Sequence, residues 1–312
     1  MASAIIQRLI SSVLVVFGSL LLVFFILYLL PGDPVLAMLE GVSATPEAAL
    51  NLRRQLGLDQ PVGVQFAQYF WKLIHGDFGR SIISGDAVLP KIWAQFPATA
   101  ALTAASSVVS LAVGVPLGVL SAVHHNRAID LAARVVSLLG ISMPTFWTGI
   151  VLILIFSVQL RWFPAMGSNG WKTLVLPALA LGLVTAGYIV RMVRSSMLDI
   201  LREQFIVTLR SKGLSERLVM YRHALRNALI PAVTMLGVQV GELLAGAVVT
   251  ETVFSRQGIG RLLADAITAK DLPVVQGIIL FTAIMYVMVN LIIDVSYSAI
   301  DPRVRRTIDK TR

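Results

Sequence analysis

Charged residues vanish from this chain for long stretches, and those gaps set the first expectation. No Lys, Arg, Asp or Glu occurs between Arg8 and Asp33, between Lys91 and Arg127, or between Arg134 and Arg161. A shorter gap separates Lys172 from Arg191, Glu242 alone interrupts residues 228–250, and residues 274–293 end at Asp294. About 20 apolar residues suffice for a helix to cross the hydrocarbon core of a bilayer. The pattern predicts an all-α polytopic membrane protein with six transmembrane helices, at 9–30, 98–123, 135–160, 173–190, 228–250 and 274–293. The first run, of 22 residues, exceeds the roughly 7–15 of a signal-peptide core. No A-x-A-like site follows it, so it is read as a retained helix.

Composition strengthens this reading. Of 312 residues, 56% are hydrophobic and only 14% charged, against about a quarter charged in soluble domains. With no cysteine, disulfide frameworks, thiolate metal sites and cysteine nucleophiles are excluded.

The net charge of +9 would point to nucleic acid in a soluble basic domain. In a membrane protein it sets topology instead. Six spans put both termini on one side. The terminal segments, 124–134 and 191–227 together carry 16 Lys/Arg against 7 acids; 31–97, 161–172 and 251–273 carry 10 against 9. The positive-inside rule makes the first group, and so both termini, cytoplasmic. The chain then divides into an N-terminal helix (1–30), a large external loop (31–97), a five-helix core (98–293) holding a cytoplasmic loop (191–227), and a cytoplasmic tail (294–312).

Two loops exceed mere connections. The external one opens with Leu30-Pro31-Gly32-Asp33-Pro34, a helix stop; Thr45-Pro46-Glu47 resembles a helix start and Gly57 a helix end. A second short helix is expected over 65–74, followed by Gly76-Asp77-Phe78-Gly79-Arg80-Ser81. This region reads either as a small cap over the bundle or as a docking surface, with Asp77, Phe78, Gly79 and Arg80 the docking candidates. In the cytoplasmic loop, Met197, Ile200, Leu201, Phe205 and Leu209 keep helical spacing, break at Gly213, and resume with Leu214, Leu218, Tyr221 and Leu225. Two amphipathic helices hinged at a glycine suit a protein-facing element; a helix lying on anionic headgroups is the alternative.

Familiar reaction centres are missing from the sequence. It has no G-x-x-x-x-G-K-[ST] phosphate loop, H-E-x-x-H pair or G-x-S-x-G elbow. His124 and His125 are adjacent, which on a helix points them apart. An energy source is therefore expected on another chain or in an ion gradient. Gln239 and Glu242, three residues apart, share a helix face that either lines a polar path or makes an interhelical hydrogen bond. Thr250 and Glu251 sit at the outer end of that span and are further path candidates. Gly237, Gly241 and Ala245 form a stripe suited to close helix packing. Pro144 and Pro177 are expected to kink their spans.

Residues 205–214, Phe-Ile-Val-Thr-Leu-Arg-Ser-Lys-Gly-Leu, followed by His223-Ala224-Leu225-Arg226-Asn227-Ala228-Leu229-Ile230-Pro231, resemble the cytoplasmic signature of binding-protein-dependent ABC importer permeases. Further likeness runs through Gln55-Leu56-Gly57-Leu58-Asp59-Gln60-Pro61, Ser142-Met143-Pro144, Asp271-Leu272-Pro273 and the tail Asp301-Pro302-Arg303-Val304-Arg305. It is similar to the dipeptide/oligopeptide/nickel branch. Departures are Phe205, Val207 and Leu209, where the family often has Tyr, Arg and Ala, and Arg256-Gln257, where it often has Trp-Pro.

The resemblance implies a permease in a bacterial inner membrane, not itself an enzyme. It would pair with a second, similar permease and two cytoplasmic ATPases, and receive substrate from an external binding protein. ATP and Mg²⁺ would bind the ATPases; this chain would hold no cofactor or metal and contact lipid but no nucleic acid. Leu209, Arg210, Lys212, Gly213, Leu214 and Arg217 would form the ATPase-coupling surface, the leucines as anchors. Di- or oligopeptide is the expected substrate, with glutathione or nickel complexes as alternatives and an ion-coupled carrier as the rival machine.

Overall fold

The computed structural model describes the backbone of residues 2–29, 35, 47, 50, 53–54 and 59–300, and the side chains of 10–25, 35, 47, 50, 53–54 and 59–292. The expected features at Pro31–Pro34, Thr45–Pro46, Gly57 and the 301–305 tail lie outside these residues. The helices run α1 (Ala2–Leu29), α2 (Val62–Ile74), α3 (Val88–Val123), α4 (Ala128–Ser142), α5 (Thr145–Leu152), α6 (Lys172–Ile200), α7 (Gln204–Ser211), α8 (Glu216–Leu218), α9 (Leu225–Val253), α10 (Ile259–Thr268) and α11 (Leu272–Ile300). Widened π-helical turns extend α5 over Ile153–Gln159 and join α8 to α9 over Val219–Ala224. Among the described residues the extended structure is one isolated bridge, Arg80 to Ala87.

The described residues do not form the six expected spans. Among the described residues four helical stretches are long and apolar enough to cross a membrane: Val88–Val123, Lys172–Ile200, Glu216–Val253 and Leu272–Ile292. A fifth exists only if α4 and the α5 segment count as one span, and these are bent by 107°. Within α1 the stretch Ile10–Phe25, whose side chains are described, is apolar. Without six spans, an even count no longer places both termini on one side.

The bend has a local cause. Met143, preceding Pro144, is extended at φ −81°, ψ 128°, the conformation that a following proline ring imposes. A gap in charge along a sequence cannot distinguish one straight helix from two at an angle. Pro177, by contrast, lies within α6 without ending it.

The described residues form two compact units, 98–261 with 289–300 in one, and those up to 97 with 262–288 in the other. In the first, α6 is the central helix: 61% of its apolar window is buried, against α4, α5 and α9. Close approach needs absent side chains. A Cβ on Gly118 of α3 would lie 2.7 Å from Val193 Cβ and 2.9 Å from the Val190 carbonyl oxygen of α6. The expected small-residue stripe of α9 is graded: Gly237 is buried, Gly241 half-buried and Ala245 exposed. In the second unit, Trp93, Phe96 and Phe281 stack edge to face at 5.4–5.6 Å. Gln276 there donates to the Val23 carbonyl at 3.1 Å.

Candidate functional site

The basic loop folds as a short helix fastened beneath the core. α6 continues through Arg191 to Ile200, past the end of its expected span. The chain then turns at Leu201–Glu203 and enters α7. Ile206 of α7 is fully buried in a cluster with Val119, Ile189, Val193, Met197 and Val219. The first expected amphipathic helix is thus two elements. The second is the start of α9, continuous through its π-helical turns.

Gly213 ends α7. Its φ is +80°, a left-handed conformation open to glycine at little cost. The Gly213 N–H donates to the Arg210 carbonyl at 2.9 Å and the Leu214 N–H to the Leu209 carbonyl at 3.3 Å. These paired bonds satisfy carbonyls that the helix end would leave open, as in a Schellman cap. Leu209 and Leu214, the residues such a cap brings together, both pack against the buried cluster. Across the turn Arg210 meets Glu216 through two hydrogen bonds.

The coupling candidates therefore separate. Arg210, Lys212, Gly213 and Arg217 are exposed, whereas Leu209 and Leu214 are half-buried against this chain's own core. Leu209 and Leu214, expected as anchors in a partner, turn part of their apolar surface onto this chain's own core. The apolar side chains left outward are Phe205 (42% exposed), Val207 (56%), Leu218 (38%) and Tyr221 (49%). Ser215, Arg217, Leu218, Tyr221 and Arg222 line an open depression beside the turn. Phe205 and Val207, where the chain departs from the usual family residues, are thus exposed apolar positions on α7.

A buried carboxylate supports this surface from behind. Asp130, fully buried, accepts from Arg194 Nε at 2.8 Å, Arg194 Nη2 at 2.9 Å and Ser121 Oγ at 2.6 Å. It also accepts from the Asn126 N–H at 3.0 Å; Asn126 has φ +60°. Arg134 and His125 lie at 3.5 and 3.7 Å. The turn between α3 and α4 is thereby bolted to the end of α6 that leads into α7. Nothing in the local sequence marks Asp130, because its main partner is 64 residues away.

The path candidates also separate. Glu242 is exposed on α9, but Gln239 and Thr250 are buried, and Thr250 donates to the Gly246 carbonyl at 3.0 Å. Glu251 is fully buried. Its carboxylate accepts from Thr99 Oγ1 at 2.6 Å and from the N–H groups of Gly260 at 2.8 Å and Arg261 at 3.2 Å. Thr99 in turn accepts from the Ile259 N–H at 2.8 Å. Glu251 thus occupies the first turn of α10, where free N–H groups favour an anion, rather than an open mouth.

The docking candidates form a folded cap. Asp77 Oδ1 accepts the Gly79 N–H at 2.9 Å, Gly79 adopts φ +84°, and Arg80 donates to the Gly85 carbonyl at 3.3 Å. Phe78 is half-buried, near Gly277 of α11. Ser81 and the Ile82 N–H both donate to Asp271, which ties the loop to the start of α11. Asp77 and Arg80 remain exposed.

Residues 114–306 match the family described as binding-protein-dependent transport system inner membrane component, and residues 1–103 match its N-terminal component. The chain belongs to this family. It is an ABC importer permease subunit of the peptide/nickel/glutathione group, a multi-pass inner-membrane protein and not an enzyme. Among the family's curated members, the glutathione transport system permease proteins GsiC of Salmonella choleraesuis (strain SC-B67) and Escherichia coli (strain K12) are each 40% identical over 305 residues. That match covers 98% of this chain and 99% of each relative. A solved inward-facing MetNI methionine ABC transporter chain has the same fold, with TM-score 0.56 and 19% identity over 68% of this chain and 98% of that one.

Proposed function

We propose that this permease subunit passes glutathione across the inner membrane, driven by ATP hydrolysis on partner chains. The observation that carries the substrate is the 40% identity, over nearly the full length of both chains, to permeases named for glutathione transport. Glutathione is itself a short peptide, so it replaces the broader di- or oligopeptide expectation with a particular member of that chemical class.

The surface around Gly213 is the proposed ATPase contact, on the cytoplasmic side. Its segment, residues 191–227, carries 8 Lys/Arg against 3 acids, as the positive-inside rule favours for that face. Phe205, Val207, Leu218 and Tyr221 supply apolar contact, and Arg210, Lys212 and Arg217 a basic rim. A rigidly capped helix fastened by Ile206 is suited to passing displacement into α6 and α9, because packed elements move as bodies. A second permease completes the path, with Glu242 facing it, and an external binding protein delivers substrate over the Asp77–Arg80 cap.

The test is uptake by vesicles holding this permease, its partner permease, the ATPases and the binding protein. Vanadate-sensitive accumulation of labelled glutathione, outcompeting labelled dipeptides, is the expected result. Dipeptide accumulation without glutathione uptake overturns the substrate. Transport by this chain alone, abolished by collapsing the proton gradient, overturns the ATP-driven mechanism.

A further inference from the structure

The short helix α2 has three sectors, and two of them are accounted for within the chain. At about 100° per residue, Phe66, Tyr69, Phe70 and Leu73 fall on one side. Gln65, Gln68, Lys72 and His75 fall on another, with Val64, Ala67, Trp71 and Ile74 between them. The first sector packs on α1. Phe17 meets Phe66 and Phe70 edge to face at 6.2 and 6.5 Å, and Phe24 meets Phe66 and Tyr69 at 5.2 and 5.8 Å. In the polar sector Gln65 Nε2 donates to the Gln60 carbonyl at 2.7 Å and Gln68 Nε2 to Gln60 Oε1 at 2.9 Å.

The middle sector is apolar and open. Val64 is 44% exposed, Trp71 63% and Ile74 56%, although the Trp71 ring also meets that of His75 at 4.6 Å. α1, on which the first sector packs, likewise carries exposed apolar side chains at Val13, Leu14, Leu22 and Phe25. In an inner-membrane protein, lipid is the apolar phase available to cover exposed apolar surface on both helices. Trp71 and Lys72 are the residue types that suit such a boundary: an amphipathic ring at headgroup level, and a long stem that lets its ammonium reach water.

We infer that α2 is an interfacial helix whose Val64–Trp71–Ile74 sector beds into the boundary between lipid headgroups and acyl chains, with the Gln65–Gln68–Lys72 sector facing water. The helix would thus moor the segment that leads into the Asp77–Arg80 cap. This surface is independent of the transported substrate.

The chain's lack of cysteine makes single-site labelling clean. Nitroxides are attached at Val64→Cys, Trp71→Cys, Ile74→Cys, Gln68→Cys and Lys72→Cys in the full transporter, in phosphatidylethanolamine/phosphatidylglycerol nanodiscs. The ratio of collision with oxygen to collision with a water-soluble nickel chelate is expected to be several-fold higher at 64, 71 and 74 than at 68 and 72. Equal ratios overturn the assignment, as does loss of oxygen collision at 64, 71 and 74 when the binding protein is added. An unlabelled measurement stands beside this one. Brominated lipids should quench the tryptophan emission of the native chain by a larger fraction than that of Trp71→Phe, and equal fractional quenching counts against lipid contact.

Discussion

Arg210 and Glu216 grip each other across the Gly213 turn, Nε to Oε1 at 2.7 Å and Nη2 to Oε2 at 3.1 Å. Both are well exposed, so the pair adds at most about 1 kcal/mol to stability. At the proposed ATPase contact, its larger effect would be to fix the angle of the turn. Arg210→Glu is expected to lower substrate-stimulated ATP hydrolysis several-fold, with insertion unchanged. The exchange Arg210→Glu with Glu216→Arg should restore most of it if turn geometry is what matters. Failure of the exchange to recover activity would assign Arg210 to direct contact with the ATPase instead.

Gly213 meets a different constraint. No atom lies within 4 Å of a Cβ built there, so substitution meets no steric clash and is opposed by its positive φ alone. Gly213→Val should impose about 1–2 kcal/mol of local strain, abolish uptake and uncouple hydrolysis, while Gly213→Asn retains more activity because Asn tolerates that conformation. Normal coupled hydrolysis in Gly213→Val would show that the turn conformation is dispensable.

Asp130 is fully buried and its partner Arg194 one-fifth exposed (20%). Asp130→Asn leaves the guanidinium without its carboxylate and is expected to destabilise the chain by about 1–3 kcal/mol, read as a lower midpoint of thermal unfolding in detergent. Asp130→Asn combined with Arg194→Met should recover part of that loss, since no charge then stays unpaired. A midpoint unmoved by Asp130→Asn would mean the network bears little of the fold.

Gly260 is held by steric contact. A Cβ there would lie 2.3 Å from Val248 Cα and 2.7 Å from its nitrogen, both backbone atoms that cannot rotate away. Gly260→Ala should cost about 1–3 kcal/mol and disturb the Glu251 contacts to Gly260 and Arg261. The expected readout is a reduced yield of folded protein, with the survivors unfolding at lower temperature.

Glu242 is an exposed carboxylate on a helix apolar enough to span a membrane, where ionisable groups usually face a polar path or a partner. Glu242→Gln is expected to reduce glutathione uptake several-fold while ATPase copurification stays normal. Unchanged uptake and substrate range would return Glu242 to a structural role.

The turn at Gly213 was legible locally. The break in helical spacing at Gly213 predicted the turn, because backbone conformation there is a property of a few neighbouring residues. The direction of each apolar side chain was not. Leu209 and Val207 look alike in sequence, yet the former packs inward and the latter is exposed, since the docking of α7 through Ile206 decides which side of the helix is inner. Glu251 shows the same limit. Its position at the end of a span suggested an open mouth, but the return of α10 over it made the carboxylate an internal cap.

The sequence by itself determined that the chain enters a membrane, that it is helical, and that its richest positive loop surrounds Gly213. Charge depletion and helical period are properties of the chain alone, and lipid and backbone hydrogen bonding enforce them without long-range contacts. Only the tertiary structure decided how many stretches can cross, because the 107° bend at Pro144 turns one apolar run into two helices. It alone paired Asp130 with Arg194 and turned Glu251 inward, because burial of a charge depends on partners brought together from distant parts of the chain.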